Sequence, residues 1–137
     1  MRLYCLLAVL LLFALPGGLG AQTRDFQIPF DFIGYGSDFH SGHYSLSRVA
    51  AHILKMTPED PNNGFARYLV TRPKGNVQID GRDHLVFEKV GDFHVLREFR
   101  SSGTGASVTL PLSKERRAWE KTYTAKNRGE FVLIAAN

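Results

Sequence analysis

The sequence predicts a mainly β fold: one small antiparallel β-barrel or sandwich with a single short C-terminal helix. Three observations predict it. Phe26, Ile28, Phe30 and Phe32 alternate with Gln27, Pro29 and Asp31, the period-two pattern of a half-buried strand. Two β-rich runs, Leu85 to Val90 and Phe93 to Phe99, flank Gly91-Asp92, and a glycine-led two-residue turn between such runs marks a hairpin. Proline, glycine and asparagine punctuate the remaining chain at short intervals, and the best-capped helical window, Lys114 to Tyr123, is short.

The first 21 residues stand apart from that domain. Arg2 supplies a positive start, Leu3 to Leu15 is an uncharged apolar run, and Pro16 with Gly17, Gly18, Gly20 and Ala21 offers a small-residue cleavage site. This is the pattern of a secretory signal peptide, too short to span a bilayer comfortably. The expectation is a leader over residues 1–21 and a single β-rich domain over residues 22–137, secreted or periplasmic, with no membrane span after cleavage. Without its leader the 137-residue chain keeps 116 residues, no cysteine, and 16 Lys+Arg against 13 Asp+Glu. Packing must then supply the stability that disulfides or thiolate metal sites would give elsewhere. The small positive balance speaks to solubility more than to an anionic partner.

Each element follows from local pattern. Pro29 lacks an N–H, so the Phe26–Phe32 strand belongs at an edge or a bulge, and residues 34–42 form a turn-rich end to it. Residues 43–57 allow two readings. Leu46, Val49, Ala50, Ile53 and Leu54 lie on a helical stripe, while Tyr44 to Val49 and His52 to Thr57 make two strands around Ala50-Ala51. Pro58 to Gly64 is a loop. Phe65 to Thr71 is the next strand, stopped by Pro73-Lys74-Gly75, and residues 76–83 form a loop with a short extended piece at Val77 to Ile79.

In the hairpin, pairing across the turn sets Val90 opposite Phe93, Glu88 opposite Val95 and Val86 opposite Arg97. One face then carries Val86, Val90, Phe93, Val95 and Phe99 and is the expected core face, with Glu88 and Arg97 embedded in it. The other mixes Leu85, Phe87 and Leu96 with Lys89, His94 and Glu98. Residues 101–107 form a loop and Val108 to Leu112 a short extended piece interrupted by Pro111. Ser113 caps the helix, Glu115 suits its first turn, and Trp119 with Tyr123 share its buried side. Phe131 to Ala136, an unbroken apolar run, is the expected central strand.

These motifs, taken in order, resemble a family of short secreted acidobacterial proteins. The resemblance is carried by Ile28-Pro29-Phe30-Asp31-Phe32, Ser41-Gly42-His43-Tyr44, Leu85-Val86-Phe87 with Gly91-Asp92, Leu110-Pro111-Leu112-Ser113-Lys114-Glu115-Arg116 and the apolar 131–136 run. It implies two strands separated by a turn over residues 43–57, and an extracytoplasmic location. Phe39-His40-Ser41-Gly42 departs from the Leu-Pro-Ala-Gly turn usual at that point. The family brings no established activity with it.

The candidate sites are few. His40 and His43, beside Asp38, are weak metal-ligand candidates, and His84 and His94 could approach one another; the spacing lacks any HExxH or CxxC pattern. Nucleophilic catalysis has no GxSxG elbow and no cysteine in the mature chain. Neither a carboxylate pair nor a phosphate loop stands out, so no enzyme and no cofactor is expected. Glu88 and Arg97 form either a structural ion pair or a charged anchor for a small ligand inside a barrel. Lys114, Arg116, Arg117 and Lys121 make a basic strip on the helix, by default a solvated face, and an outside location argues against nucleic acid. The first functional expectation is a non-catalytic secreted β domain acting through protein or envelope-surface contacts. The alternative is a small-ligand-binding β-barrel anchored by Arg97 and Glu88.

Overall fold

The computed structural model describes residues 22–76, 81–103, 105–124 and 129–137, with backbone alone at 123 and 124. The leader over 1–21, the extended piece at Val77 to Ile79 and the side chain of Tyr123 lie outside the described residues. Strands are β1 (Thr23–Ile28), β2 (Phe32–Gly34), β3 (Ser37–Phe39), β4 (Gly42–Ala50), β5 (Ile53–Pro58), β6 (Arg67–Val70), β7 (Arg72–Asn76), β8 (His84–Val90), β9 (Phe93–Arg100), β10 (Ala106–Thr109) and β11 (Phe131–Ala135); the helix α1 is Lys114–Thr124.

The chain is mainly β and forms two sheets. The smaller runs β1-β4-β5-β6, all antiparallel. The larger runs β11-β8-β9-β10-β7. Beside it lies the β2–β3 hairpin, with β2 parallel to the start of β9 through Phe32↔His94 and Ile33↔Val95. Residues 43–57 are two strands, not a helix. The turn between them falls on Ala51-His52, one residue later than expected, because a bulge lies between Arg48 and Ala50.

The predicted Phe26–Phe32 strand is two strands in different sheets. The chain leaves the smaller sheet at Ile28, crosses at Pro29–Asp31, and joins the larger one at Phe32. Pro29 cannot donate to a ladder, which makes it a natural break. All four apolar side chains still turn inward: Phe26, Ile28 and Phe32 are buried and Phe30 packs against the same core. Phe30 sits edge-on to Phe87 with ring centroids 5.1 Å apart and stacks on His94 at 3.8 Å.

The main core lies between the sheets. Phe26, Tyr44, Leu54, Met56 and Leu69 of the smaller sheet meet Leu85, Phe87, Leu96 and Phe99 of the larger one, with Phe32 and Phe39 among them. This corrects the expected core face of the hairpin. Val90↔Phe93 and Glu88↔Val95 pair as anticipated, but the register shifts between Val86 and Phe87, so Val86 meets Glu98 and Arg97 is the extra residue. A bulge turns a strand by one residue. Phe99 therefore joins Leu85, Phe87 and Leu96 in the main core. Val90 and Val95 face the other way, into a smaller cluster with Ile33 and Leu112 against which Trp119 packs.

α1 covers that second face. Ser113 Oγ accepts from the Arg116 N–H at 3.4 Å, as an N-cap should. The Ser113 N–H donates to the Tyr35 carbonyl at 3.0 Å, which ties the helix start to the β2–β3 turn. The expected central strand β11 is the outermost strand described, paired only with β8. Its unbroken apolar run is split between two environments: Val132 and Ile134 pack on the core while Phe131 and Leu133 are exposed. β7, expected as a turn, is an edge strand; Pro73 and Gly75 are tolerated where one side of the ladder is open.

Candidate functional site

Glu88 and Arg97 meet, and a third residue joins them. Arg97 Nε donates to Glu88 Oε2 at 2.7 Å, and its Nη2 donates to Glu120 on α1. The bulge explains the geometry, because Arg97 is the residue without an opposite number on β8 and its side chain is free to reach the helix. All three side chains are mostly covered. The guanidinium thus bridges a strand and the helix above it, which is what a structural ion pair does. Glu120 was not legible as a partner, since nothing in the sequence places its helix over β8.

The histidines do not converge. His40 Nδ1 lies 3.7 Å from Asp31 and His43 Nδ1 lies 3.9 Å from Glu59, all four side chains being exposed. His84 and His94 stand at opposite ends of the hairpin, opposite Arg100 and Lys89 respectively, and so do not approach one another. His84 Nδ1 pairs with the Arg82 carbonyl at 2.8 Å. Burial against Phe30 and the charge of Lys89 lower the His94 pKa below its ordinary 6.5. Among the described residues no group of three or more His, Cys, Asp or Glu side chains gathers as a metal site would require.

Two buried carboxylates escaped the sequence reading. Asp83 is 3 % exposed. It accepts from the Ser102 N–H at 2.7 Å, from the Ser102 hydroxyl at 2.9 Å, and from Arg24. Burial raises its pKa, but these donors outweigh burial and hold it below the ordinary 3.8. Glu98 accepts from Lys74 and from Arg100 Nε, and these cations likewise overcome burial to lower its pKa. Lys74 is the extra residue of a bulge on β7, which aims it across β10 toward β9. Both carboxylates have structural partners that tie distant segments together.

The outer face of the smaller sheet has two unlike ends. At one, a cleft of about 540 Å³ is lined by Asp25, His43, Tyr44, Ser45, Thr57, Pro58, Glu59 and Asn137; neither Arg97 nor Glu88 lines it. At the other, Lys55 lies opposite Tyr68 and Ile53 opposite Val70. Tyr68 is 61 % exposed, Val70 40 % and the bulged Val49 49 %. Arg48 and Arg67 lie opposite the buried Leu54 and Met56 and so follow the sheet's inner-face register, Arg72 opens β7 in the other sheet, and Arg48 Nη1 donates to the Ala51 carbonyl at 2.8 Å beside the turn. Residues 45–58 and 64–76 hold five Lys or Arg and no Asp or Glu. That acid-free pattern was the available signal for this surface. The basic strip foreseen on α1 is partly spent, since Arg116 Nη2 contacts both carboxylate oxygens of Asp38 at 2.8 Å.

No helix among the described residues is long and apolar enough to cross a membrane. Comparison of the chain with protein families, curated proteins and solved structures returns no match.

Proposed function

We propose that this protein is a non-catalytic domain exported by its leader, and that it works in the periplasm or outside the cell by surface contact. One observation carries the reading: the space between the sheets is filled by side chains. Phe32 stacks on Phe39 with ring centroids 4.7 Å apart, and Tyr44 and Phe87 stand edge-on to Phe32 at 5.6 and 5.2 Å. Met56, Leu85 and Leu96 complete the packing with no exposed surface. Aromatic side chains so interlocked leave the interior to protein atoms rather than to cargo.

The same packing supports a filled, flattened barrel over an open sandwich. β6 runs into β7 with only Thr71 between them, and the Asn137 N–H donates to the Asp25 carbonyl at 2.9 Å where β1 and β11 approach. The ligand-binding alternative asked Arg97 and Glu88 to be interior anchors. Their bonds to one another and to Glu120 support a structural role instead.

Mass spectrometry of the protein purified natively from its own host tests the reading. The expected result is a mass beginning near Gln22 and no small molecule at stoichiometric amount. A co-purifying small molecule that survives dialysis, or recovery only from the cytoplasm, overturns it.

A further inference from the structure

We infer that two copies of this protein pair through β11, edge to edge and antiparallel, about a two-fold axis at Val132. The inference goes beyond the surface-contact reading and does not depend on what else the domain meets. β11 has the composition of an interior strand and the position of an outer one. Phe131 to Ala135 is uncharged and apolar throughout, a pattern that suits a strand covered on both faces and along both edges. Yet only β8 lies beside it in the sheet, and Phe131 and Leu133 are 58 % and 50 % exposed. A second copy laid along the open edge gives the strand the neighbour its composition calls for.

The backbone shows which groups are left over. The Lys89 N–H donates to the Glu130 carbonyl and the Ala136 N–H to the Asp83 carbonyl, both at 2.8 Å. Even-numbered positions therefore face β8, and the N–H and C=O groups of Phe131, Leu133 and Ala135 point away from it. Beyond Ala135 this edge is met by β1, where the Asn137 N–H donates to the Asp25 carbonyl at 2.9 Å. The open stretch is thus centred on Phe131 and Leu133. Rotation about Val132 sets Phe131 opposite the second copy's Leu133, and Leu133 opposite its Phe131, in a register that clears Asp25. Both positions present outward-pointing backbone groups, so each pair exchanges two hydrogen bonds. The exposed side chains of both copies fall on one face, Phe against Leu across the seam.

The other sheet margins are guarded against such pairing. β1 carries Arg24 and Asp25, β3 is three residues long with Asp38 in its middle, and β6 opens on Arg67. β7 combines Arg72, Pro73, Lys74 and Gly75 with a bulge. Charge, proline, bulges and short length are the means by which sheets blunt an edge. Among the described marginal strands, β11 alone has no charge, proline, glycine or bulge. A second copy fits it best because the uncharged strand is its own complement, and because two-fold pairing uses up the edge on both copies and so stops at two. The seam is small, so the dimer is expected to exchange with monomer.

The test is sedimentation equilibrium of the exported protein over a range of concentrations, with amide hydrogen exchange followed residue by residue. Three variants are measured in parallel: Phe131→Lys/Leu133→Lys, Leu133→Pro, and Tyr68→Lys/Val70→Lys, the last charging the exposed apolar side chains of β6. The expected result is a monomer–dimer equilibrium in which the Phe131 and Leu133 amides exchange more slowly in the dimer. The β11 lysine pair weakens dimerisation about a hundredfold, because like charges then meet across the seam. Leu133→Pro also weakens it, since the lost N–H points to the open edge and the ladder with β8 is kept. The β6 lysine pair leaves the equilibrium unchanged. Circular dichroism and Trp119 fluorescence confirm that the variants, all at exposed positions, remain folded.

Monomer at every concentration, a dimer indifferent to the β11 lysine pair, or an equal loss from the β6 pair overturns the inference. Association that continues past two copies also overturns it, as does a dimer whose Phe131 and Leu133 amides exchange as fast as in the monomer. Each of these outcomes leaves the surface-contact reading standing. That reading fails separately, on a bound small molecule in the native preparation.

Discussion

The β8–β9 hairpin of the larger sheet packs on both of its faces, and the two faces are held by different physics. Between the sheets, Phe26, Phe32, Phe39, Tyr44, Phe87 and Phe99 supply broad apolar area. Under α1 the apolar contact is narrow, Ile33, Val90, Val95 and Leu112 with Trp119 against them, and the Arg97 bridge to Glu88 and Glu120 adds charge where area is short. Burial of apolar surface is additive and undirected, whereas ion pairs contribute only in one geometry. The comparison teaches that the inter-sheet core determines whether the protein folds, and the polar bridge determines where the helix sits.

The sharpest way to break the comparison is at its centre. Phe87→Ala removes a ring with no exposure from the inter-sheet core and is expected to cost about 3–5 kcal/mol. In urea titrations, far-ultraviolet dichroism and the fluorescence of Trp119, the chain's single tryptophan, should lose stability together. If the fluorescence of Trp119 kept its original midpoint, α1 would be held independently of the inter-sheet core.

Arg97→Ala should separate the two signals. It leaves Glu88 and Glu120 facing each other across the helix seat, at an expected cost of about 2 kcal/mol, discounted for their partial exposure. Trp119, in edge contact with Phe93 at 5.2 Å, should report loosening of the helix before the strands melt. Coincident transitions would show that helix and sheets unfold as one unit.

Acid should act on the ties rather than on either core. Asp83 and Glu98 have folded pKa values below their ordinary 3.8 and 4.5. Their contribution is therefore complete above those ordinary values and is lost as pH falls through the lower folded ones. His94 adds a loss of the same sign at milder acidity: lowered in the fold, it takes up a proton more readily when unfolded as pH drops below 6.5. Asp83→Asn and Glu98→Gln should each flatten the acid limb of a stability–pH curve. An unchanged limb in both would reassign the acid sensitivity elsewhere.

The smallest expected effect is a gain. Thr71 is buried at the corner between β6 and β7, and its hydroxyl has no hydrogen-bond partner among the described residues. Thr71→Val keeps the shape and removes the orphaned group, with an expected stabilisation of about 1 kcal/mol. A loss on calorimetry would mean that the hydroxyl is satisfied by water.

Much of this architecture was legible. The β8–β9 hairpin could be placed because Gly91, at φ 61°, takes the left-handed turn its position demands, and Ser113 announced its helix by capping chemistry. What escaped was set by distant partners. Alternation continues unbroken from Phe26 to Phe32, yet the chain changes sheets within it, because both halves point at the same core. The bulge at Arg97 answers to a helix that comes some twenty residues later in the chain. Pro73-Lys74-Gly75 has the composition of a turn, and only an open edge lets it pair. Among the functional candidates, Glu88 and Arg97 were correctly brought together. The Tyr68 surface was hidden because its members lie far apart in sequence until β4, β5 and β6 align them.

The crossing at Pro29–Asp31 has a consequence for how the chain acquires its shape. β2 cannot find its place until His94 and Val95 arrive, 62 positions after Phe32 and Ile33. Closing so long a loop costs entropy before any contact repays it. The smaller sheet can assemble from β1 and β4–β6 as they appear, but its inner face stays uncovered until β8 and β9 exist. Folding is thus expected to be slow and all-or-none, with exposed aromatic surface for most of its course and a brief, decisive closure at the end.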